Sequence, residues 1–600
     1  MGPLKRIARE VRFLDGLFRT LLSVRKISPD SDFLICDDFE EAVDKFADHT
    51  AMVFEGERYT YRQLDALANR FAAWADAQGL KHGDTVALLL PNRAEYISAW
   101  VGLTKLGIAA ALINNNLTGA ALAHCLSISN ADHVITDNEG LTAAETIRAG
   151  LPRPLKYWVI DADFPQAPDR HALDLKEPKI APERPPKARR AGLRARDVAL
   201  YIYTSGTTGM PKAAKITHMR AQLYMRSFAA ATKANAEDNI YCVLPLYHAT
   251  GGLCGVGSAL LNGGTLVLRR KFSATHFWDD VIEHGCTMFV YIGELCRYLV
   301  NQDPSAKDRA HHLRLAFGNG LRPDVWYEFQ ARFAVPRIME FYGSTEGNVS
   351  MFNFDGQPGA IGRVPPYLQR NFAVRLVKFD VEAEMPVRDE NGLCVLCDVG
   401  EPGEAVGLIK DDARHNYTGY ADKAASERKI LRDVIEKGDA WFRTGDLMRK
   451  DANGYFYFVD RIGDTYRWKG ENVSTSEVAE AINRFPGIQD ANVYGVAVPG
   501  HDGRAGMAAI VCEGSNCDLE ALRAHLERQL PDYARPQFLR IRRNLDVTTT
   551  FKQKKGDLAK QGFDPTQSAD PIYFNDPAQR AFVPLDAPLH ARIASRQMRF

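Results

Sequence analysis

Helical and strand patterns alternate along this chain from about residue 40, and this alternation constrains the fold more than any other feature. Thr60 and Gln63 form the capping-box signature of a helix start, and Gly79 is suited to end that helix. A buried strand is predicted over residues 85–90, a helix over 95–106 that stops at Gly107, and further strands over 109–113 and 133–136. The pattern predicts α/β layers around a largely parallel sheet.

One predicted strand leads directly into a loop of hydroxyl residues and glycines. The apolar residues 198–203 indicate a buried strand. The loop that follows contains Thr204, Ser205, Gly206, Thr207, Thr208 and Gly209, and then Pro211 and Lys212. Glycine allows close approach of backbone N–H groups, hydroxyls donate hydrogen bonds and lysine adds charge, so such a loop can wrap a polyphosphate. It is not the Walker pattern, and a simple polar connection between two elements is the alternative.

The α/β alternation is interrupted at about residue 164 and gives way to other patterns after about residue 360. Residues 164–196 hold six prolines, which predicts a surface linker. The same segment carries a basic cluster, interpreted as a solvated run with phosphate contact as the alternative: Lys187, Arg189, Arg190, Arg194 and Arg196. Alternation resumes to about residue 360, and a strand-rich stretch runs to about 460. After Arg461, helices over 478–485 and 519–530 and strands over 491–498 and 507–512 predict a small α+β domain. Residues 563–600 are expected to be irregular because of five prolines.

The N-terminus carries a basic amphipathic helical pattern. Its apolar residues recur at helical spacing: Leu4, Ile7, Ala8, Val11, Leu14, Phe18, Leu21 and Leu22. Its basic residues outnumber Glu10 and Asp15, and they are Lys5, Arg6, Arg9, Arg12, Arg19, Arg25 and Lys26. Such a helix can lie on an anionic membrane surface or dock on its own domain, and the sequence leaves both open. Charges interrupt the apolar run, which excludes a signal peptide.

Composition excludes several classes of protein. Lys+Arg and Asp+Glu balance at 75 each, which gives no case for nucleic-acid binding. Ten scattered cysteines do not make a disulfide framework, and a reducing compartment is expected. Cys394 and Cys397 form a lone C-x-x-C with no second pair at zinc spacing. Residues 249–268 are uncharged, but their glycines predict a short buried helix, a turn and a strand instead of a membrane span.

Further motifs give the loop after residue 203 a context. They are PLYHATGG (245–252), FGNGL (317–321), FYGSTEGN (341–348), WFRTGDL (441–447), DRIGDTYRWKGENVS (460–474) and TTTFKQKK (548–555). In order and spacing they resemble the adenylate-forming enzymes, which include acyl-CoA synthetases, luciferases and peptide-synthetase adenylation domains. YIGELCRYL (291–299), GNGLRPDVW (318–326) and DPIYFNDPAQRAFVPL (570–585) resemble more closely the fatty acid transport protein and very-long-chain acyl-CoA synthetase group.

The resemblance implies a fold and a domain plan. The implied fold is α/β, with a large N-terminal domain of layered sheets, a β-rich subdomain and a small mobile α+β C-terminal domain. The expected segments are a basic amphipathic segment (1–40), a large AMP-binding domain (41–460), a small C-terminal domain (461–565) and a tail (566–600).

The resemblance also implies a two-step reaction. A carboxylate attacks the α-phosphorus of MgATP and gives an acyl-adenylate and pyrophosphate, and the thiol of coenzyme A then displaces AMP. No enzyme nucleophile is required, because catalysis rests on alignment and charge stabilisation. Glu346 is expected to bind Mg²⁺, a hard cation that prefers oxygen ligands. A helix cap is the structural alternative for Glu346.

The family motifs assign the other site residues. The phosphate loop runs from Thr204 through Lys212, and Thr345 is expected to touch the α-phosphate. Gly318, Asn319, Gly320, Tyr342, Gly343 and Ser344 are expected to line the nucleotide site, and Asp446 and Arg461 to contact the ribose. Lys552 is the expected catalytic lysine, with Lys554 and Lys555 as rivals, because Thr549 and Phe551 depart from the family pattern.

The remaining assignments concern motion, CoA and the acyl chain. Gly463, with Asp464, is expected to be the hinge of the small domain, since glycine accepts both signs of φ. Lys469 and Gly470 are expected to face CoA. The acyl pocket is expected to include Tyr247, His248, Thr250, Tyr291 and Leu295.

The resemblance favours an ATP-dependent fatty acid–CoA ligase for long or very long chains, with activation possible as the driving force for uptake. The expected location is the cytoplasmic face of a membrane, with peripheral attachment through the N-terminal segment. A ligase for a sterol, bile-type or aryl acid is one alternative, and a transporter or binding protein without essential catalysis is another. A stand-alone peptide-synthetase domain is disfavoured, because no carrier-type serine motif follows residue 565.

Overall fold

A computed structural model describes residues 3–163, 167–175, 183–204, 210–381, 383–469, 471–501, 503–513, 517–548 and 553–598. The chain divides into two compact units. The first unit comprises Met1–Val364 and Gly407–Leu431, and the second comprises Pro365–Val406 and Arg432–Phe600. The domain boundaries expected from the sequence stay a prediction.

The α-helices lie in both units and are numbered in chain order. They are α1 Pro3–Val24, α2 Ile35–Phe46, α3 Tyr61–Ala77, α4 Ala94–Thr104, α5 Gly119–Ile128, α6 Asn138–Glu145, α7 His218–Thr232, α8 Val256–Leu260, α9 Phe277–Glu283, α10 Gly293–Val300, α11 Pro323–Phe333, α12 Lys423–Glu427, α13 Thr475–Asn483, α14 Leu519–Gln529, α15 Gly556–Gln561 and α16 Ala587–Ala594.

The strands are numbered in the same way. They are β1 Thr50–Phe54, β2 Glu57–Thr60, β3 Thr85–Leu89, β4 Ala109–Leu112, β5 His133–Thr136, β6 Lys156–Val159, β7 Arg170–Ala172, β8 Val198–Thr204, β9 Lys212–Thr217, β10 Asn239–Cys242, β11 Thr265–Leu268, β12 Met288–Ile292, β13 Leu315–Asn319, β14 Ile338–Gly343, β15 Ser350–Phe352, β16 Gly362–Arg363, β17 Val374–Val377, β18 Phe379–Asp380, β19 Met385–Pro386, β20 Gly403–Leu408, β21 Ile430–Arg432, β22 Ala440–Lys450, β23 Tyr455–Arg461, β24 Tyr466–Trp468, β25 Glu471–Val473, β26 Ile488–Val496, β27 Ala505–Cys512, β28 Phe538–Arg542, β29 Ile572–Asp576 and β30 Ala581–Pro584.

Two largely parallel sheets form the first unit. One has the strand order β15-β14-β13-β12-β10-β11-β1-β2, and the other β7-β6-β5-β3-β4-β8-β9. Among the described residues, the antiparallel pairs of these two sheets lie at their margins, at β14–β15, β1–β2 and β8–β9. Strands such as β3 and β5 are buried along their whole length, as expected for parallel sheets covered on both faces. The α/β prediction is confirmed.

Local signals set the ends of the helices. The Thr60 hydroxyl accepts a hydrogen bond from the Gln63 N–H at 3.2 Å, and the Gln63 side chain accepts one from the Thr60 N–H at 2.7 Å. Gly79 follows α3 with φ +73°, a left-handed conformation that favours glycine. Both predictions are confirmed. Helix α4 ends at Thr104, two residues before its predicted end, and Gly107 then turns the chain with φ +71°.

Helix α1 docks on the first unit through one face. Phe13 is buried and its ring packs edge-on against Phe354, while Gly16 lies directly over the same ring. Glu10 forms an ion pair with Arg363 at 2.6 Å. The docking alternative for this helix is therefore confirmed. Its predicted apolar stripe nevertheless faces solvent.

The basic cluster after residue 186 is exposed at Lys187, Arg189, Arg194 and Arg196, as the solvated interpretation expects, and buried at Arg190. Arg190 is buried and bonds Asp37 at 2.7 Å and Glu40 at 2.6 Å, both on α2. Arg189 pairs with Asp76 on the surface. The solvated interpretation was wrong for Arg190, because the carboxylates of α2 compensate a guanidinium that leaves water.

The uncharged segment before β11 forms a π-helical turn, Thr250–Gly255, followed by α8. The two are buried and lie against the residues before them: a Cβ on Gly252 would collide with the carbonyl oxygen of Leu246. The prediction of a short buried helix, a turn and a strand is confirmed. No helix in the part of the chain that the structure describes is both long and apolar enough to span a bilayer.

The second unit contains a five-stranded sheet with the order β26-β27-β28-β29-β30. Helices α13 and α14 contribute Val478, Ile482 and Leu522 to its core. The small α+β arrangement predicted after Arg461 is confirmed in element type. The expectation of an irregular segment over 563–600 was wrong, since β29 and β30 complete this sheet and Phe574 is fully buried. Pro571, Pro577 and Pro584 lie at the ends of these strands, where no ladder hydrogen bond is lost, and Pro588 lies in the first turn of α16, where proline is tolerated.

Candidate active site

In the first unit, the candidate nucleotide residues lie where neighbouring parallel strands end. Strands β13 and β14 pair in parallel, with Gly318 opposite Glu340. Their carboxyl ends therefore meet at one edge of the sheet, which is where open α/β sheets bind ligands. A Cβ on Gly318 would collide with the carbonyl oxygen of Tyr291, and Gly320 has φ +81°. Glycine is required at both positions to bring bare backbone to this edge.

The loop after β14 carries Ser344, Thr345 and Glu346, and helix α7 holds it in place. The Arg220 guanidinium donates to the carbonyl of Thr345 at 3.1 Å and to that of Ser344 at 2.9 Å, and it also bonds the Gly347 carbonyl. The Tyr224 hydroxyl donates to the Ser344 carbonyl at 2.8 Å. Four donated bonds to three backbone carbonyls, those of Ser344, Thr345 and Gly347, restrain the loop from which the Glu346 carboxylate projects.

A tyrosine from a distant part of the chain bonds the same carboxylate. The Tyr420 hydroxyl donates to Glu346 Oε1 at 2.7 Å. Lys212 Nζ lies 5.6 Å from the centre of the Tyr420 ring, within cation–π range. Burial and the neighbouring Glu346 charge raise the pKa of Tyr420, so its proton stays on the hydroxyl.

Backbone pairing brings Tyr420 to this position. The Lys215 N–H donates to the Gly419 carbonyl at 3.0 Å, and the Ala421 N–H donates to the Ala213 carbonyl at 2.8 Å. Residues on both sides of Tyr420 are thus bound to β9, the strand that begins with Lys212. Strand β8, which ends at Thr204, pairs with β9 along its length. Glu346, Tyr420, Lys212 and Thr204 therefore form one cluster at the end of the Gly/Thr loop.

The cluster fits a nucleotide with its metal. Asn319 Oδ1 and Ser344 Oγ are buried and have no hydrogen-bond partner among the described residues. Buried polar atoms without partners are unusual in a folded protein and suit a ligand that supplies the missing bonds. No group of three or more His, Cys, Asp or Glu side chains in the described residues could hold a metal alone. A Mg²⁺ bound by one carboxylate together with phosphate oxygens is consistent with Glu346.

The expected acyl-pocket residues are all in the first unit. Tyr291 and Leu295 are fully buried on β12 and α10, and Tyr247 is nearly so. The Asn116 amide donates to the Tyr247 hydroxyl at 3.2 Å, and the Tyr247 and His248 rings lie 4.6 Å apart. Thr250 begins the π-helical turn. The structure thus gathers Tyr247, His248 and Thr250 around that turn, and places Tyr291 opposite Gly318 of β13. Leu295 lies on α10, the helix that follows β12.

In the second unit, the two candidate ribose ligands are neighbours. Asp446 on β22 is directly opposite Arg461 on β23, and Arg461 Nε lies 3.6 Å from Asp446 Oδ1. Gly445 precedes Asp446 with φ +78°, and the Thr444 hydroxyl accepts from the Asp446 N–H at 3.1 Å. The glycine turn and the threonine contact set the position of the carboxylate.

The residues after β23 form an exposed turn. Gly463 has φ +92° and no atom lies near the position of a Cβ there, and both properties suit a hinge. Asp464 pairs with Lys555 at 3.3 Å, and Lys555 Nζ also donates to the Thr475 hydroxyl at 2.6 Å. Lys469 pairs with Asp532 at 2.8 Å. Lys555, a rival for the catalytic lysine, is thus bound within the second unit.

Several predicted residues lie outside the described residues: Ser205, Gly206, Thr207, Thr208, Gly209, Gly470 and Lys552. Sequence reasoning also missed Tyr420 of the cluster and Arg220, which binds the loop that carries Glu346. Arg220 stands three residues after the N-cap Thr217 in an otherwise ordinary helix. Tyr420 meets its partner across 74 residues of chain, so no local periodicity marks it.

Comparison with known proteins agrees with this geometry. The model of the AMP-binding enzyme family matches residues 39–404, and that of the AMP-binding enzyme C-terminal domain matches residues 477–552. The chain belongs to the AMP-binding enzyme family. Among the relatives of this AMP-binding enzyme is long-chain fatty acid transport protein 1 of Mus musculus, 42% identical, with 98% of this chain and 92% of the relative covered. Long-chain fatty acid transport protein 2 of Rattus norvegicus is 39% identical, with 99% and 96% covered.

Solved structures support the fold of this AMP-binding enzyme. The anthranilate CoA ligase AuaEII in complex with anthranoyl-AMP superposes with a TM-score of 0.73 at 21% identity, covering 90% of this chain and 98% of that one. The Mycobacterium tuberculosis fatty acyl CoA synthetase gives 0.61 at 23% identity, covering 88% and 99%. The predicted family and the predicted adenylate-forming fold are confirmed.

Proposed function

We propose that this AMP-binding enzyme is an ATP-dependent acid–thiol ligase that joins long or very long fatty acids to coenzyme A. The observation that carries the proposal is the cluster of Glu346, Tyr420 and Lys212 at the strand edge beside the Gly/Thr loop. Relatives that are about 40% identical over nearly the whole chain are long-chain fatty acid transport proteins, which supports a fatty acid as the substrate.

In the first step, a carboxylate oxygen forms a bond to the α-phosphorus of ATP, and the bond from that phosphorus to pyrophosphate breaks. The nucleophile and the phosphate are both anions, so the site must offset their repulsion. Lys212, Thr204 and the loop over 205–209 would hold the β- and γ-phosphates, and Lys552 would bridge the carboxylate and the α-phosphate. Glu346 would hold Mg²⁺, which supplies positive charge to the phosphate oxygens.

In the second step, the sulfur of coenzyme A loses its proton and forms a bond to the acyl carbon, and the bond from that carbon to the AMP oxygen breaks. Asp446 would accept hydrogen bonds from the ribose hydroxyls while Arg461 stays beside it. Gly463 would allow the small domain to reorient between the steps. Lys469 and Gly470 would then face coenzyme A.

The test is pyrophosphate exchange into ATP with mixed fatty acids, followed by mass spectrometry of the CoA esters. Wild-type protein is expected to exchange label only when a fatty acid is present. Glu346→Gln should lose at least 100-fold in exchange, a size typical of removing one preorganised electrostatic contact. The control Glu328→Gln alters an exposed glutamate on α11 and should leave exchange unchanged. Wild type that exchanges no label with any fatty acid would refute the proposal.

Two alternatives are separable in the same system. Exchange with aryl or sterol-type acids, and none with fatty acids, would assign a different carboxylate substrate. Fatty acid uptake by cells that survives Glu346→Gln, while thioester formation disappears, would assign transport without essential catalysis.

We propose in addition that α1 attaches the enzyme to an anionic membrane at its cytoplasmic face. One side of α1 is committed to the protein through Phe13 and Gly16. The other side exposes large apolar side chains at helical spacing, namely Leu4, Ile7, Val11, Leu14, Phe18 and Leu22, which are 45% to 82% exposed. A continuous apolar strip on an already docked helix marks an interaction surface, and a bilayer is the partner that fits its length and its charge.

The charges of α1 favour an anionic surface. Glu10 is paired with Arg363, and Asp15 is paired with Lys233 at 3.0 Å. Arg6, Arg12, Arg25 and Lys26 are exposed. Each basic residue near an anionic leaflet contributes about 1 kcal/mol of attraction.

Vesicle flotation measures this attachment. The vesicles contain roughly 30% phosphatidylserine, an arbitrary anionic content. Phe18→Glu is expected to reduce binding to them, because it places a negative charge on the apolar face of α1. Tyr327→Glu, at a comparably exposed aromatic residue on α11, is the control and should bind like wild type. Equal flotation of wild type and Phe18→Glu would exclude α1 as the attachment surface.

A further inference from the structure

A fully buried carboxylate, Glu340, lies on β14 beneath the candidate nucleotide site. Three donors converge on it: the Tyr291 hydroxyl at 2.8 Å and the Leu321 N–H at 3.0 Å bond Oε1, and the Gly320 N–H at 3.0 Å bonds Oε2. Burial raises the pKa of Glu340, and the three donors oppose that rise because each bonds the ionised form. Buried carboxylates are costly, so a residue that keeps one here invites a functional explanation.

The three donors belong to the two subsites of the proposed reaction. Gly320 and Leu321 form the turn that ends β13, where the backbone is expected to face the adenine. Tyr291 is on β12 in the expected acyl pocket. Strand pairing places Tyr291 opposite Gly318, and Gly318 opposite Glu340. Glu340 is thus the side chain that joins the end of β12 to the turn after β13.

Two contacts restrain the turn at Gly320, one at its carbonyl group and one at its N–H group. Gly320 is in the left-handed region, and the Gly320 carbonyl lies so close to Gly293 that a Cβ on Gly293 would collide with it. The Gly320 N–H, however, has a carboxylate oxygen as its acceptor. Without that acceptor, the peptide before Gly320 can rotate and carry the Asn319 carbonyl with it.

We propose that Glu340 is a positioning residue that holds the Gly318–Asn319–Gly320 backbone in the conformation that receives the nucleotide. The proposal rests on the proposed function for the identity of that nucleotide. Glu340 itself touches neither the substrate nor the reacting atoms. It acts through the hydrogen bonds that it accepts from the N–H groups of Gly320 and Leu321.

The isosteric variant Glu340→Gln removes one bond selectively. Its amide oxygen can still accept from Tyr291 and Leu321, but its amide NH₂ then faces the Gly320 N–H, and two donors cannot bond each other. The expected result is a tenfold rise in the KM for ATP and in the Kd for AMP. The kcat at saturating ATP and the KM for the fatty acid should stay within threefold of wild type. Tyr291→Phe removes one donor and should raise the Kd for AMP about threefold.

A matched control separates positioning from stability. Asp308 is another buried carboxylate; it accepts from Arg332 at 2.8 Å and from the N–H of Ser305, which caps the short helical turn over 306–309. Asp308→Asn should lower the Tm without changing either nucleotide constant. An unchanged KM for ATP and Kd for AMP in Glu340→Gln would overturn the proposal. If that variant does not fold, an unchanged Kd in Tyr291→Phe overturns it.

The readouts also separate this proposal from the proposed function. The Kd for AMP is measured by calorimetry without a fatty acid or coenzyme A. Wild type that binds AMP and fails to activate any fatty acid would refute the ligase assignment and leave the Glu340 comparison intact. Wild type that activates fatty acids, with Glu340→Gln equal to it in nucleotide affinity, would refute the Glu340 role alone.

Discussion

Replacing Tyr420 with phenylalanine tests whether the hydrogen bond from the Tyr420 hydroxyl to Glu346 contributes to the activation of the fatty acid. Tyr420→Phe keeps the ring that Lys212 faces and removes only the 2.7 Å bond to Glu346 Oε1. A hydrogen bond to a charged group contributes about 1.5–3 kcal/mol. Glu346 is partly exposed, so water can take the place of the hydroxyl and the lower end applies. A loss of about 1.4 kcal/mol is a tenfold fall in rate.

The assay is steady-state pyrophosphate exchange at saturating fatty acid and varied ATP. Tyr420→Phe is expected to lower kcat/KM for ATP about tenfold, because a less restrained carboxylate is a poorer Mg²⁺ ligand. Tyr59→Phe is the matched control, since the Tyr59 hydroxyl also bonds a glutamate, Glu57, at 2.5 Å but at the β2 edge. If Tyr420→Phe and Tyr59→Phe both stay within twofold of wild type, Tyr420 does not position Glu346.

Three further predictions concern stability. Arg190→Ala removes the buried guanidinium that bonds Asp37 and Glu40, and leaves Asp37 beside Lys187 at 3.2 Å and Glu40 beside Lys105 at 3.6 Å. Because these lysines compensate the carboxylates in part, the free energy of unfolding should fall by about 3 kcal/mol, the lower end for a broken buried pair. Arg189→Ala breaks a surface pair worth less than about 1 kcal/mol, and urea titration distinguishes the two variants. Gly16→Val places a side chain 2.5 Å from the Phe354 ring and should lower the free energy of unfolding by about 1–3 kcal/mol. Amide hydrogen exchange in α1 should then be faster than in wild type, and unchanged exchange would contradict the docking of α1. Burial lowers the pKa of His218 from 6.5 to about 4. Between pH 6.5 and pH 4, His218 is therefore protonated in the unfolded chain but neutral in the folded protein, and the free energy of unfolding decreases as the pH falls through this range. His218→Gln should flatten that part of the stability curve, and an unaltered curve would contradict it.

The helices and strands followed from local signals. The reciprocal bonds of Thr60 and Gln63 involve neighbours in sequence, so the residues alone were sufficient to predict them. Strands such as 133–136 are apolar runs of the right length for a buried sheet. The segment 563–600 was misjudged because prolines were weighed above the alternation of Ile572 and Phe574, which point into the core.

The candidate site was predictable in position and not in its contacts. The family motifs named Gly318 and Glu346. The structure has Gly318 within β13 and Glu346 in the loop after β14, and the parallel pairing of these two strands brings their carboxyl ends together. The hydrogen-bond partner of Glu346 is Tyr420, 74 residues later in the chain. Arg190 bonds Glu40 on α2, which is 150 residues earlier. A charged or hydroxyl side chain carries no sequence mark of a distant partner, because packing of the whole unit decides which groups meet.

The α1 helix illustrates the same limit. Its apolar spacing predicted an amphipathic helix, but an apolar stripe is compatible with either a protein or a lipid partner. The contacts of Phe13 and Gly16 showed that a different, narrower face binds the protein. The residue pattern alone does not show which of the two faces of α1 binds the protein.

The glycine-rich turn at Thr250–Gly255 has an implication for how substrate range can evolve in this enzyme. Gly251 and Gly252 press bare backbone against the carbonyls of residues 244–246, and Gly257 is pressed in the same way against Met225. Bulkier residues there would push the main chain aside. If the expected acyl pocket lies at this turn, divergence toward shorter or longer acids should appear at Tyr247 and Tyr291, whose side chains can change in size without moving that backbone.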